Sequence, residues 1–171
     1  MTARLVSFRI PAEFVAAQAL PTPSELAAGF GGGWLDEQGV VGVALAEMVA
    51  GVSLDEVMER LALLLSDELN LVPDLVSELL SDGGTPTDGR FWLFEALAWV
   101  FEHRADFEDP LGVVEMLYAD FDYPTEIEGL VRYMPAPPGE PTGVEAIERR
   151  WADFLDRARR DYAERAATSM R

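Results

Sequence analysis

Carboxylates are the residues with which this chain could do chemistry. Glu145-x-x-Glu148 and Asp153-x-x-Asp156 have the spacing with which helical enzymes hold magnesium. Both pairs fall on one predicted helix, however, and a substrate-bridging magnesium site needs carboxylates converging from separate elements. Three of these four acids also have an arginine one turn on, Glu145 with Arg149, Asp153 with Arg157 and Asp156 with Arg160, as does Asp161 with Arg165. That arrangement predicts a solvated ion-pair ladder. Asp120-Phe121-Asp122-Tyr123-Pro124 opens like a calcium loop but lacks the glycine at its sixth position and the glutamate at its twelfth. Its aspartates are expected to bond nearby backbone amides at a helix exit, with Phe121 and Tyr123 anchoring the turn.

The other reactive groups are few. The sequence has one histidine, His103, and no cysteine. A zinc site of the usual mixed ligands, a di-iron Glu-x-x-His bundle and a disulfide framework are all unsupported by this inventory. None of the serines lies in a nucleophile-elbow context. Gly31-Gly32-Gly33 lacks the Gly-Lys-Ser/Thr ending of a phosphate loop and has no strand before it, so it reads as a turn. His103 falls at the end of an apolar helix, where an imidazole interacts with free carbonyls. No metal or cofactor is expected.

The elements that must position these groups are helical. Residues 11–20 predict a short helix with Pro11 in its first turn, broken by Pro21 and Pro23. Ser24 is placed to cap a second, which runs to the triple glycine. Asp36 opens a third, ending near Ala50 before Gly51. Ser53 and Glu56 form a capping-box pattern ahead of a stripe at Leu54, Val57, Met58, Leu61, Leu64 and Leu65. A helix from Pro73 to Leu80 is expected to close at Gly83-Gly84. Residues 91–101 carry two tryptophans and three phenylalanines, with Glu95 the one polar residue, and so predict a helix buried on all sides. Asp109-Pro110 reads as a cap and first-turn proline for 111–118, and a short helix follows Pro124. After the proline-rich connection 135–141, a long helix from Val144 to Ala167 carries an apolar stripe through Ile147, Trp151, Phe154, Leu155, Ala158 and Tyr162. Only Leu5 to Ile10 shows a hint of alternation.

The fold class expected is all-α: an irregular multi-helix array over 1–171, one domain, with the aromatic helix at its centre and the long C-terminal helix packed on it. A chain of 171 residues can bury about 70% of its unfolded surface without staples. No run reaches the roughly 18 apolar residues of a membrane span. The two arginines of the N-terminus have no apolar stretch after them, so a cytoplasmic location is expected.

Charge is the most unusual property. Thirteen basic residues, all arginine, stand against 31 acidic ones, for a net −18. The segment 143–171 is +1, so the remainder is −19; residues 102–128 hold nine acids against Arg104 alone. Such a field repels nucleic acid and anionic membrane and favours a basic protein partner.

From Phe107 onward, Asp109-Pro110-Leu111, Tyr118-Ala119-Asp120-Phe121-Asp122-Tyr123-Pro124 and Arg132-Tyr133-Met134-Pro135 resemble, as a set, an uncharacterised bacterial family catalogued as domain of unknown function family 2247. The Ile10-Pro11 entry, the Gly33-Trp34-Leu35 turn and the tryptophan-bearing last helix extend the resemblance over most of the chain. Small acidic families of this kind are often encoded beside secreted toxins and act as immunity proteins; that is the role the resemblance implies.

The leading functional expectation is therefore a non-enzymatic acidic protein-binding domain. Its expected partner-binding residues are Asp106, Glu108, Asp109, Tyr118, Asp120, Asp122, Tyr123, Arg132 and Tyr133: carboxylates to accelerate encounter, aromatic anchors to hold the complex. A carboxylate-based magnesium hydrolase and an acidic mimic of nucleic acid are the alternatives. Magnesium titration would separate out the first, and displacement of nucleic acid from a partner the second.

Overall fold

Nine of the thirteen residues of Arg90–Glu102 are buried, and the other helices are arranged around them. The computed structural model describes residues 4–81 and 89–169, without the side chain of Ser169. Among these residues the chain is all-α: α1 (Ala12–Gln18), α2 (Pro23–Gly31), α3 (Glu37–Val49), α4 (Glu56–Ala62), α5 (Val72–Ser81), α6 (Arg90–Glu102), α7 (Pro110–Asp120) and α8 (Val144–Ser169). Short 3₁₀ turns lie at Leu69–Leu71, Arg104–Asp106 and Thr125–Leu130. No described helix is long and apolar enough to cross a membrane.

The helix starts differ from the expected ones in two places. Thr22, not Ser24, caps α2: it accepts from the Glu25 amide while the Glu25 carboxylate accepts from the Thr22 amide, with Pro23 at the first helical position. Asp55, not the Ser53–Glu56 pair, caps α4 through the Met58 amide at 2.8 Å. That helix stops at Ala62, which leaves Leu65 exposed instead of on the predicted stripe. Asp36 caps α3 as expected, bonding the Gly39 amide at 2.7 Å. Gly42 keeps α3 close to α1, since a Cβ there would lie 2.7 Å from the Ala12 methyl. The expected closure of α5 by Gly83-Gly84 lies outside the described residues.

The long helix packs on α6 in antiparallel sense. Phe101, late in α6, meets Trp151, early in α8, at 5.1 Å between rings; Phe91, at the start of α6, meets Tyr162 at 5.3 Å. Edge-on pairs of this kind contribute about 0.5–1.5 kcal/mol beyond their burial. The expected i,i+4 ladder on α8 is replaced by longer reaches. Among the described residues none of those four pairs closes within 4 Å; Arg159 instead meets Glu102 and Asp156, Arg150 meets Glu140, and Arg165 bridges to Glu25 in α2. For Arg165 the tertiary partner wins because Glu25 is largely buried, and an arginine that satisfies such a carboxylate gains more than one pairing in water.

Residues 5–10 form no strand. Val6 and Ile10 are buried and Leu5 exposed, and the Ile10 amide donates to the Trp34 carbonyl at 3.0 Å.

Candidate functional site

The three sequence signatures converge in space. Arg132, in the turn after the 3₁₀ segment Thr125–Leu130, reaches back to the start of α7 and lies between two carboxylates. Its Nη1 and Nη2 donate to the two oxygens of Asp109 at 3.2 and 3.0 Å, while Nε and Nη2 donate to Glu115 at 2.8 and 3.1 Å. Two forked pairs on one planar guanidinium fix its orientation, a task lysine could not perform. The pairing holds Asp109 below the ordinary carboxylate range and raises Arg132 further above its usual value. Asp109 stands at the N-cap position of α7, its carboxylate engaged first by Arg132, with the Gly112 backbone amide in the first turn adding to the lowering of its pKa. Glu115 was not among the expected site residues; its position one turn into α7, six residues after Asp109, is where a second acceptor for one arginine could have been sought.

Tyr118, Tyr123 and Tyr133 form the second part of the site. Tyr118 is buried in α7, with its ring 5.2 Å from Tyr123 and 6.4 Å from Tyr133. Burial, then the charge of Glu128, pushes its hydroxyl above the ordinary tyrosine range. Tyr123 and Tyr133 remain 57% and 63% exposed, so Tyr118 is a floor on which two accessible rings rest. The turn that delivers Tyr123 is strained: Asp122 and Tyr123 have φ of +61° and +56° in succession. Left-handed backbone costs an aromatic residue roughly 1–2 kcal/mol, and such strain is retained where surrounding structure over-determines it.

Asp120 serves the fold and not this surface. Its two oxygens accept from the amides of Leu5 and Val6 at 2.8 and 2.9 Å, tying the N-terminal arm to the end of α7. The amides are thus far away in the chain, not in the local turn as expected. Arg4 completes the tie, stacked 4.0 Å above Trp34, which itself stacks on Phe121 at 6.1 Å. Asp120→Ala should cost about 2 kcal/mol, the scale of losing charge-assisted backbone bonds. Urea unfolding would measure it, and limited proteolysis should then cut the arm first. Asp120→Asn, with one acceptor oxygen, should fall between.

Asp106 and Glu108 lie on the exposed connection before α7, and among the described residues their carboxylates make no hydrogen bond or ion pair. They belong to the acidic surroundings of the site, not to its geometry. His103 donates to or accepts from nothing catalytic: its Nδ1 lies 2.8 Å from the Trp99 carbonyl and its ring stacks on Trp99 at 3.8 Å, the helix-end role read from the sequence. Among the described residues no three His, Asp or Glu side chains are grouped as a metal ion would require. Glu145, Asp153 and Asp156 are exposed on α8.

What the arrangement offers chemically is recognition: a locked arginine, two presented phenols and an excess of negative charge around them. Two further carboxylates are buried: Glu95 in α6 at 0% exposure, as its place in an apolar helix requires, and Glu47 in α3 at 3%, which nothing in the sequence marks.

No curated protein and no solved structure matches the chain. A family model does, over residues 12–159, a span that contains the Arg132 clamp and all three tyrosines. The chain belongs to that family, described as uncharacterized proteins conserved in bacteria (DUF2247).

Proposed function

We propose that the chain is a non-enzymatic protein-binding module that receives a basic protein on the surface formed by Tyr123, Tyr133 and the carboxylates around them. In its specific form the reading is an immunity protein that neutralises a toxin within the cytoplasm. The observation that carries it is the pair of exposed phenols seated on buried Tyr118, one of them delivered by a strained turn. Rigid aromatic anchors with few rotamers give much contact area for little ordering cost, which is why tyrosine is enriched at interface centres. A net charge of −18 supplies the second half: it accelerates encounter with a positive partner while the anchors govern dissociation.

The test begins with a photo-crosslinking amino acid at position 133 in the native host. The expected adduct is one discrete basic protein. Against that protein, Tyr123→Ala with Tyr133→Ala should lower affinity by roughly 1,000-fold, given about 2 kcal/mol for each anchor. Asp106→Asn, Glu108→Gln and Asp122→Asn together should slow association and flatten its salt dependence, leaving dissociation nearly unchanged. Asparagine tolerates the left-handed backbone at position 122. A captured partner that binds the double tyrosine variant as tightly as the native chain would place the interface elsewhere.

A further inference from the structure

Glu47 lines a part-enclosed cavity of about 290 Å³ that shares no residue with the tyrosine surface. Its walls come from the α1–α2 connection, the α3–α4 connection and the late turns of α8. Leu20, Pro23, Leu54 and Met58 make it largely apolar, and Glu47, Asp55 and Arg165 supply its charges. Ligand pockets combine an apolar lining with a few placed polar groups, and this volume stands near the lower end of their range of about 300–1,000 Å³.

Most of those polar atoms are already engaged. Arg165 donates to both oxygens of Glu25 at 3.1 and 2.8 Å and to the Leu20 carbonyl at 3.0 Å, with its guanidinium 4.7 Å from the Tyr162 ring. Asp55 accepts from the Met58 amide. Glu47 differs: it is 3% exposed and its Oε1 has no hydrogen-bond partner. Buried acceptors in native proteins are almost always satisfied, and an exception calls for a missing donor. The local pattern is also inverted, for Leu45 and Val49 on the same helix are 44% and 81% exposed while the carboxyl between them is inside.

The donor's class follows from the charges that face Glu47. Asp55 and Glu25 are negative, and Arg165 is the positive group, itself bonded to Glu25. Acids exceed bases, so the complement is a cation. A cavity of about 290 Å³ has room for a compact ammonium on a short alkyl chain, and Glu47 has no hydrogen-bond or ion-pair partner among the described residues. We propose that this cavity binds a small primary alkylammonium ion, its N–H donated to Glu47 Oε1 and its alkyl chain laid against Leu20, Pro23, Leu54 and Met58. Burial, opposed by Arg165 and assisted by Asp55 and Glu25, pushes Glu47 up to about 7. Below that pH the cation must displace a proton, and its affinity falls about tenfold per pH unit.

The test uses the full chain with methyl-¹³C methionine and three probes of equal size: n-butylammonium, n-butanol and butanoate. At pH 8 the Met58 methyl resonance should shift saturably with n-butylammonium at millimolar concentration and not with the other two. At pH 6 the same titration should be about tenfold weaker. Glu47→Gln should weaken it by at least roughly tenfold, the scale of one charge-assisted bond, while melting no lower than the native chain at pH 8. A Met58 signal that n-butylammonium leaves unmoved, or that all three probes move alike, overturns the proposal on the native chain alone. So does binding retained in full by Glu47→Gln.

Discussion

Glu95→Met is expected to raise the melting temperature at pH 8 by roughly 3–12 °C and to make stability less dependent on pH. The residue lies in the middle of α6, fully buried, and neither carboxyl oxygen has a hydrogen-bond partner. Burial pushes its pKa well above the ordinary glutamate value, with Arg159 opposing. Arg159 gives little relief, because it is bonded to Gln18 at 2.7 Å and Asp156 at 3.2 Å. Methionine matches the length and volume of glutamate and needs no partner. Replacing buried ionisable groups by well-packed apolar ones is often stabilising by about 1–4 kcal/mol, and 1 kcal/mol moves a domain of this size by about 2–4 °C.

The sign of the pH dependence can be worked out from the two buried acids. A carboxyl whose folded pKa is raised keeps its proton in the native state after the unfolded chain has lost it. Over that window the unfolded state binds fewer protons, so stability falls as pH rises, by about 1.4 kcal/mol per pH unit for each group. For Glu47 the window runs from about 4.5 to about 7. For Glu95 it opens at the same lower edge and runs well above it. The advantage of Glu95→Met over the native chain should therefore be small at pH 5 and large at pH 8. A variant that melts below the native chain at pH 8 would mean that Glu95 is satisfied by a group bound in its surroundings.

How much of this could be read in the sequence depends on the distance over which each interaction acts. The aromatic helix at 90–102 declared itself by composition, because a helix without a polar face has nowhere to go but inside. The stripe of α8 declared itself by period, and Trp151 and Leu155 are fully buried as that period requires. Short-range rules were less decisive: Ser24 reads as the cap of α2, whereas Pro23 occupies the first helical position and Thr22 caps it. Long-range pairings could not be read at all. Asp120 reaches amides 115 positions away and Arg165 reaches Glu25 over 140 positions, and nothing local in either residue distinguishes it from a solvated charge. The tyrosine site lies between these cases. Its residues were legible as signatures in the sequence, but the clamp required Glu115, whose part appears only when the start of α7 and the turn at Arg132 are folded together.

Gly29→Ala is expected to destabilise by about 3 kcal/mol, at the upper end of what overpacking costs. The glycine lies in α2 where the helix crosses α6, and a Cβ there would fall 2.1 Å from Cζ2 and 2.4 Å from Cε2 of the Trp92 indole. Flexible chain ends can retreat from such a clash, but an indole moves as one rigid body. Trp92 is further held by its Nε1, which donates to the Glu25 carbonyl at 2.6 Å, and its edge rests on Phe91 at 5.2 Å between rings. Relief must then come from separating α2 from α6, which opens the centre of the core and strips that bond. Chemical denaturation should show the loss as a lower midpoint with an unchanged slope. The steric origin can be isolated by a double-mutant cycle with Trp92→Phe, whose smaller ring removes the two atoms the methyl would strike. Trp92→Phe alone should destabilise, by a cavity and an unpaired carbonyl; in its presence Gly29→Ala should cost far less, because the methyl enters the vacated space. Additive losses in the double variant would show that the glycine is needed for its backbone and not for the room it leaves the indole.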